Sequence, residues 1–181
     1  MTKKRVVVTG LGCLTPIGCN KDDFWKSLLE GKSGAKTIDF LDVDKLPVKF
    51  SASVKDFQSD KYFDKKDLKK MDLFMQYGMA AGIDAVADAK LLESQCNPDR
   101  IGVSIGSGIG GLYNIENTRD TFIKSGSRRI SPFFVPASII NMISGNLSIK
   151  YGFKGPNLSI VTACTTGTHN IGEGFRQIQY S

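Results

Sequence analysis

Histidine and tryptophan each occur once in this chain, as His169 and Trp25, and the four cysteines (Cys13, Cys19, Cys96 and Cys164) include no CxxC pair. Zinc centres draw on clustered cysteine and histidine, so this scarcity argues against a metal site. No apolar run approaches the roughly 20 residues that cross a bilayer, so no membrane partner is expected. The basic start, Met1-Thr2-Lys3-Lys4-Arg5, runs into Val6-Val7-Val8 rather than into a signal-peptide core and cleavage site. A cytoplasmic location is expected, where the thiols stay reduced. Acidic residues are also in short supply. Lys and Arg number 24 against 18 Asp and Glu, giving a net charge of +6, which suggests an acidic partner. No arginine-rich or aromatic-interleaved basic segment points to nucleic acid.

What is present suits one globular domain: 181 residues, 41% hydrophobic and 23% charged. Residues 5–9 read as a buried strand. Asn20 and Asp22-Asp23 suit a helix start, and Gly31 its end. Residues 32–60 are turn-rich, with a short strand near Ser51–Val54. Leu68, Met71, Met75, Met79, Ile83 and Val86 recur at spacings of three and four, predicting one helix over 65–91. Gly78 and Gly82 inside it allow another element to come close. Strands are expected at 101–105 and 157–162. A loop or short helix should follow the first of these, and helices are expected at 137–151 and 164–180. This alternation indicates an α/β fold with a largely parallel sheet. A buried strand leading into a helix normally continues into a further parallel strand. The sequence stops at Ser181, where that connection should begin, so residues 1–181 are expected to be the first half of a larger unit whose second half is absent.

The run Leu158-Ser159-Ile160-Val161-Thr162-Ala163-Cys164-Thr165-Thr166-Gly167 places a cysteine between an apolar strand and a helix start. A thiol there meets unpaired N–H groups and the positive end of the helix dipole, which favour the reactive thiolate. A buried, inert cysteine is the competing interpretation, but Thr165-Thr166-Gly167 is poor material for filling a core. His169 is a tempting general base. Five residues along a helix turn it about 140° away from Cys164 and carry it roughly 7.5 Å along the axis, so a structural role is expected instead. Gly106-x-Gly108-x-x-Gly111 formally matches the dinucleotide fingerprint. No acidic residue follows at the needed distance, and Ser131-Pro132 breaks the expected βαβ unit, so nucleotide binding is not expected.

Thr162–Gly172 resembles the active-site motif of the β-ketoacyl-[acyl-carrier-protein] synthases, most closely the type II synthases of bacterial fatty-acid elongation. Arg5–Gly12, Gly106–Gly111 and Ser131–Pro136 resemble three further signatures in the same order. The resemblance implies a thiolase-like fold built from two similar halves in a duplicated αβαβα architecture, of which this chain matches the N-terminal half. It implies a 3-oxoacyl-[acyl-carrier-protein] synthase activity without a cofactor. Cys164 would take an acyl group as a thioester, and a carbanion from decarboxylating malonyl-carrier would attack that thioester. The two catalytic histidines, the lysine and a late glycine-rich loop would belong to the other half, so this chain alone should not condense substrates. The resemblance places Ile109 and Phe134 in the acyl pocket, Phe134 reaching it from the partner subunit of a homodimer. It places Lys66, Lys69, Lys70, Arg128 and Arg129 on the surface that docks acyl- and malonyl-loaded carrier protein. Lys66, Lys69 and Lys70 fall at i, i+3 and i+4, so they are expected on one helix face. A solvated face is the alternative for these charges, with Asp60, Asp64, Asp67 and Asp72 close by. Two other functions compete: a non-catalytic half-domain that binds carrier protein or a partner chain, and a type I ketoacyl synthase.

Overall fold

The computed structural model describes residues 3–181. Its centre is helix α3, Leu73–Asp88, packed on helix α6, Met142–Tyr151. Met75, Met79 and Val86 of α3 meet Ile143 and Leu147 of α6, together with Val103 and Phe153, in one buried cluster. The two helices approach closely because α3 carries glycine at the crossing. A Cβ at Gly78 would lie 2.8 Å from Ile143 Cδ1, and one at Gly82 would lie 2.9 Å from Leu147 Cδ2.

Among the described residues, four strands of two residues each form two sheets. Strand β1, Lys36–Thr37, pairs antiparallel with β2, Phe50–Ser51. Strand β3, Val103–Ser104, pairs parallel with β4, Asn157–Leu158, in the register Val103 to Asn157. Helix α1, Lys21–Leu29, precedes the first sheet; Asn20 caps it by accepting from the N–H groups of Asp22 and Asp23. Helix α2, Lys65–Leu68, is a single turn. Helices α4, Leu112–Ser125, and α5, Phe134–Ser138, lie between β3 and α6. Helix α7, Thr166–Tyr180, ends the chain.

Several sequence expectations need correction. The strand expected over 5–9 is not formed: Val7 and Val8 are 60% and 77% exposed, and among the described residues no strand pairs with this stretch. Its apolar composition fits a sheet interior, but β-branched residues make a strand only beside a partner's ladder. The strands expected at 101–105 and 157–162 are shorter, because side chains take over their last backbone groups. Ile105 donates to the Leu158 carbonyl, but the Ile105 carbonyl accepts from the hydroxyls of Ser144 and Ser159. The helix expected over 65–91 is broken at 69–72. Asp72 has extended backbone (φ −67°, ψ 161°), and its carboxylate accepts from Phe74 N–H at the start of α3. The stretch after the Gly106–Gly111 loop, expected as a loop or short helix, is the 14-residue α4.

Asp72 serves two helices. Besides capping α3, its Oδ2 accepts from Asn114 N–H in the first turn of α4 at 2.8 Å. Asp72→Ala removes both caps and is expected to lower stability by about 2 kcal/mol, since one cap is worth about 1. Asp72→Asn keeps one acceptor oxygen and should recover about half of the loss. Denaturant unfolding of the three proteins checks the ordering; equal midpoints for all three would show that Asp72 caps neither helix.

Candidate active site around Cys164

Cys164 sits in a 3-10 turn, Ala163–Thr165, between the end of β4 and the start of α7. Its side chain is exposed. Ala163, directly before it, has φ 51°, a left-handed conformation that costs a non-glycine residue about 1–3 kcal/mol. This strain persists because both sides of the turn are tied down. The Thr162 N–H donates to Thr166 Oγ1 at 2.9 Å, and the Thr165 N–H donates to the Thr162 carbonyl at 3.0 Å. Thr166 and Asn170, one turn apart on α7, are both buried against the strand ends.

Helix α7 continues directly from this turn, with the Thr166 N–H donating to the Ala163 carbonyl. Its N-cap, Thr165, makes no side-chain cap hydrogen bond. The Cys164 N–H finds no acceptor among the described residues. The Cys164 N–H and the exposed sulfur stand at the start of the helix, an arrangement that can stabilise negative charge on a carbonyl oxygen under attack by the thiolate.

The glycine loop lies against this corner. A Cβ at Gly108 would lie 3.6 Å from the Ala163 carbonyl, and one at Gly106 would lie 2.1 Å from the Ile160 carbonyl. Only glycine allows that approach at 106. The loop turns at Gly110 (φ 84°), whose N–H donates to Ser107 Oγ. Ile109 projects from it and is 73% exposed. Phe134 is half-buried in α5, and its carbonyl accepts from the Asn114 side chain of α4. The turn and the loop thus bring Cys164 and the Ile109 segment together, while Phe134 belongs to the α4–α5 pair.

His169 Nδ1 lies 3.3 Å from Thr162 Oγ1, and among the described residues His169 makes no hydrogen bond with Cys164. The other thiols differ from Cys164 in their surroundings. Burial pushes the Cys13 and Cys19 thiols up, with Asp84 adding to the first and Asp56 to the second. Cys96 is exposed and accepts a hydrogen bond from Ser94.

The predicted basic surface is assembled differently from the single helix face expected. Lys66 lies in α2, Lys69 is its C-cap, and Lys70 follows it. Lys66 and Lys69 are exposed, as are Arg128 and Arg129 in the 3-10 turn Ser127–Arg129. Lys70 is engaged: its Nζ is 2.8 Å from Asp67 Oδ1 and 5.7 Å from the centre of the Phe133 ring. Phe133 is four residues beyond Arg129, so this contact links Lys70 to the segment that follows Arg128 and Arg129. The hydrogen bond from Lys70 holds the Asp67 carboxyl below its ordinary range, and the charges of Lys66 and Lys150 act the same way. Lys150, from α6, is the cation that sequence spacing missed. It is distant in the chain and reaches this surface only through the α3–α6 packing. Beside the cluster lies a cleft of about 710 Å³ floored by Met71, Met75, Met79 and Met142, with Lys61, Lys70 and Lys150 among its lining residues. No helix among the described residues is long and apolar enough to cross a membrane.

Known proteins share this chain's sequence pattern and fold. The chain is 52% identical over 180 residues to the 3-oxoacyl-[acyl-carrier-protein] synthase 2 of Vibrio harveyi, covering 99% of this chain and 43% of that protein. It is 49% identical over 181 residues to the synthase 2 of Coxiella burnetii, covering all of this chain and 44% of that protein. The chain therefore spans less than half the length of the curated relatives it matches. Among solved structures, a type II polyketide ketosynthase bound to its acyl carrier protein and a hexaketide aligns over 98% of this chain and 48% of that one, with a TM-score of 0.79 at 25% identity. The ishigamide ketosynthase/chain length factor aligns over 98% of this chain and 45% of that one, also at 0.79, with 24% identity, and shares the fold. The sequence model described as "Beta-ketoacyl synthase, N-terminal domain" matches residues 3–181, and the chain belongs to that family, with the thiolase-like α/β fold of its ketosynthases.

Proposed function

We propose that this chain supplies the nucleophile of a 3-oxoacyl-[acyl-carrier-protein] synthase and that Cys164 carries the acyl group. One observation supports this above the others: an exposed cysteine stands in a strained turn at the start of a 15-residue helix, and its own N–H finds no acceptor among the described residues. The thiolate attacks the carbonyl of an acyl thioester. The new C–S bond forms at Cys164, the bond to the carrier's sulfur breaks, and the carrier leaves as a thiol after taking up a proton. The Cys164 N–H holds the developing oxyanion.

Residues 1–181 act in this proposal as the N-terminal half of the condensing domain, and the rest of a longer protein supplies the groups that decarboxylate malonyl-carrier. The coverage of 43–44% in the relatives supports that division. Ile109 lines the acyl channel from the glycine loop, and Phe134 reaches it across the interface of a cytoplasmic homodimer. Acyl carrier protein is the partner, docking through Lys66, Lys69, Lys70, Arg128 and Arg129. The carrier protein bound to the polyketide ketosynthase neighbour supports that choice, as does the net charge of +6.

Two outcomes are expected for the protein expressed from its complete open reading frame. Cys164→Ala should form no acyl-enzyme with acyl-carrier, as read by intact-protein mass spectrometry. An adduct on that variant, or on Cys13, Cys19 or Cys96 of the unchanged protein, would move the nucleophile elsewhere. The double charge reversal Lys66→Glu/Arg129→Glu should slow association with carrier protein by about tenfold at low salt and flatten its salt dependence. Acylation by a small thioester without the carrier should keep its rate, because these charges lie outside the acyl pocket. Equal losses with both donors would mean that the charges support the fold.

A further inference from the structure

Asn170 is 5% exposed and lies six residues beyond Cys164, one turn into α7 from Thr166. Its amide fills all four of its hydrogen-bonding positions. Oδ1 accepts from the Ser104 hydroxyl at 2.8 Å and from the Ile160 N–H at 3.2 Å. Nδ2 donates to the Ile160 carbonyl at 2.9 Å and to the Thr166 carbonyl at 2.8 Å. A side-chain amide carries the same donor and acceptor as a peptide group. Asn170 therefore pairs with Ile160 in both directions, as a neighbouring strand would, at the point where the β3–β4 ladder has ended. Gly106 is packed onto that pair, since a Cβ there would lie 2.7 Å from Asn170 Nδ2.

The segment that bears Cys164 starts at Ile160, held by Asn170, and ends at Thr166, whose carbonyl Asn170 also holds. Thr166 Oγ1 fixes Thr162 from inside the segment. The strained Ala163 lies between these points. We infer that Asn170 is a positioning residue for Cys164: its amide fixes both ends of the cysteine turn and so sets where the sulfur stands relative to the start of α7 and to the glycine loop. The inference rests on Cys164 being the acyl-accepting nucleophile. Only an amide meets the need. An ionised carboxylate in its place would have no proton for the Ile160 and Thr166 carbonyls, and an aliphatic replacement would leave the Ser104 hydroxyl and both Ile160 groups without this partner.

The test uses Asn170→Asp and Ser104→Ala in the protein expressed from its complete open reading frame, with the native thiols as internal reporters. The half-buried Cys13 and Cys19 report loss of fold by becoming open to iodoacetamide, and exposed Cys96 is the reference thiol. At about pH 8, Asn170→Asp should slow acyl transfer from acyl-carrier by about a hundredfold, with KM changed by less than about twofold and Cys13 and Cys19 still protected. The deficit relative to the unchanged protein should shrink as the pH falls, because burial at this site raises the introduced carboxyl's pKa above its ordinary value and the protonated form regains one donor. Ser104→Ala removes one of the four hydrogen bonds and should slow the same step by a few-fold. Three results overturn the inference: a folded Asn170→Asp protein that transfers at the ordinary rate, a deficit that does not respond to pH, or, where Asn170→Asp does not fold, a Ser104→Ala protein with unchanged transfer. If the unchanged protein forms no acyl-enzyme, the proposed function fails, and the alkylation of Cys164 relative to Cys96 decides for Asn170. A tenfold fall in that ratio in folded Asn170→Asp, about the effect of a modest misplacement, sustains the positioning role, and an unchanged ratio overturns it.

Discussion

The short parallel contact between Val103–Ser104 and Asn157–Leu158 is the joint on which the rest of the chain depends. Two residue pairs are a weak ladder by themselves. Side chains extend it. Ser144, fully buried on α6, accepts from the Ile105 N–H, and its hydroxyl is within bonding distance of the Ile105 and Leu158 carbonyls. Asn157 donates back to the Ser144 carbonyl and the Ser148 hydroxyl. Each buried polar group left without a partner would cost about 1–3 kcal/mol. The strands, α6 and α7 therefore lock together as one unit, and the cysteine turn grows out of its end.

That joint also explains which side of α7 faces inward. Thr166 and Asn170 are buried because they hydrogen-bond to the strand ends. Ile171, Phe175 and Ile178, spaced for one helix face, remain 74%, 44% and 51% exposed. The helix turns polar residues towards the described residues and an apolar stripe away from them, the reverse of an ordinary surface helix. The exposed Val7 and Val8 lie in the segment whose Lys4 N–H reaches the Gln179 carbonyl at the end of the same helix. Relatives more than twice as long have additional chain with which to cover such a stripe.

Much of this was legible in the residues. The Asn20 cap, the Met75–Met79–Val86 stripe and the cysteine between strand and helix all rest on local chemistry that operates within a few positions. What was not legible depends on partners. Whether Val6-Val7-Val8 becomes a strand is decided by what lies beside it, and periodicity carries no information about that. The break at Asp72 had a local signal, an N-cap residue inside an apolar pattern, but the stripe on either side of it outweighed that signal. The arrival of Lys150 beside Lys66 and Lys70 had none, because only the α3–α6 crossing brings it there. Asn170 lay within the motif from the start; its significance appears only when Ser104, 66 residues earlier, meets its oxygen.

Stability and surface charge are separated in this chain. The cysteine corner is held by buried hydrogen bonds that are costly to break. Lys66, Lys69, Arg128 and Arg129 are exposed and form no ion pair among the described residues. Exposed charges contribute about 0–1 kcal/mol to a fold even when paired, so these cations, with the exposed Asp64 and Asp67 beside Lys66, add little to folding. On the proposed reading these exposed cations act at a distance, their positive field attracting an acidic surface from solution.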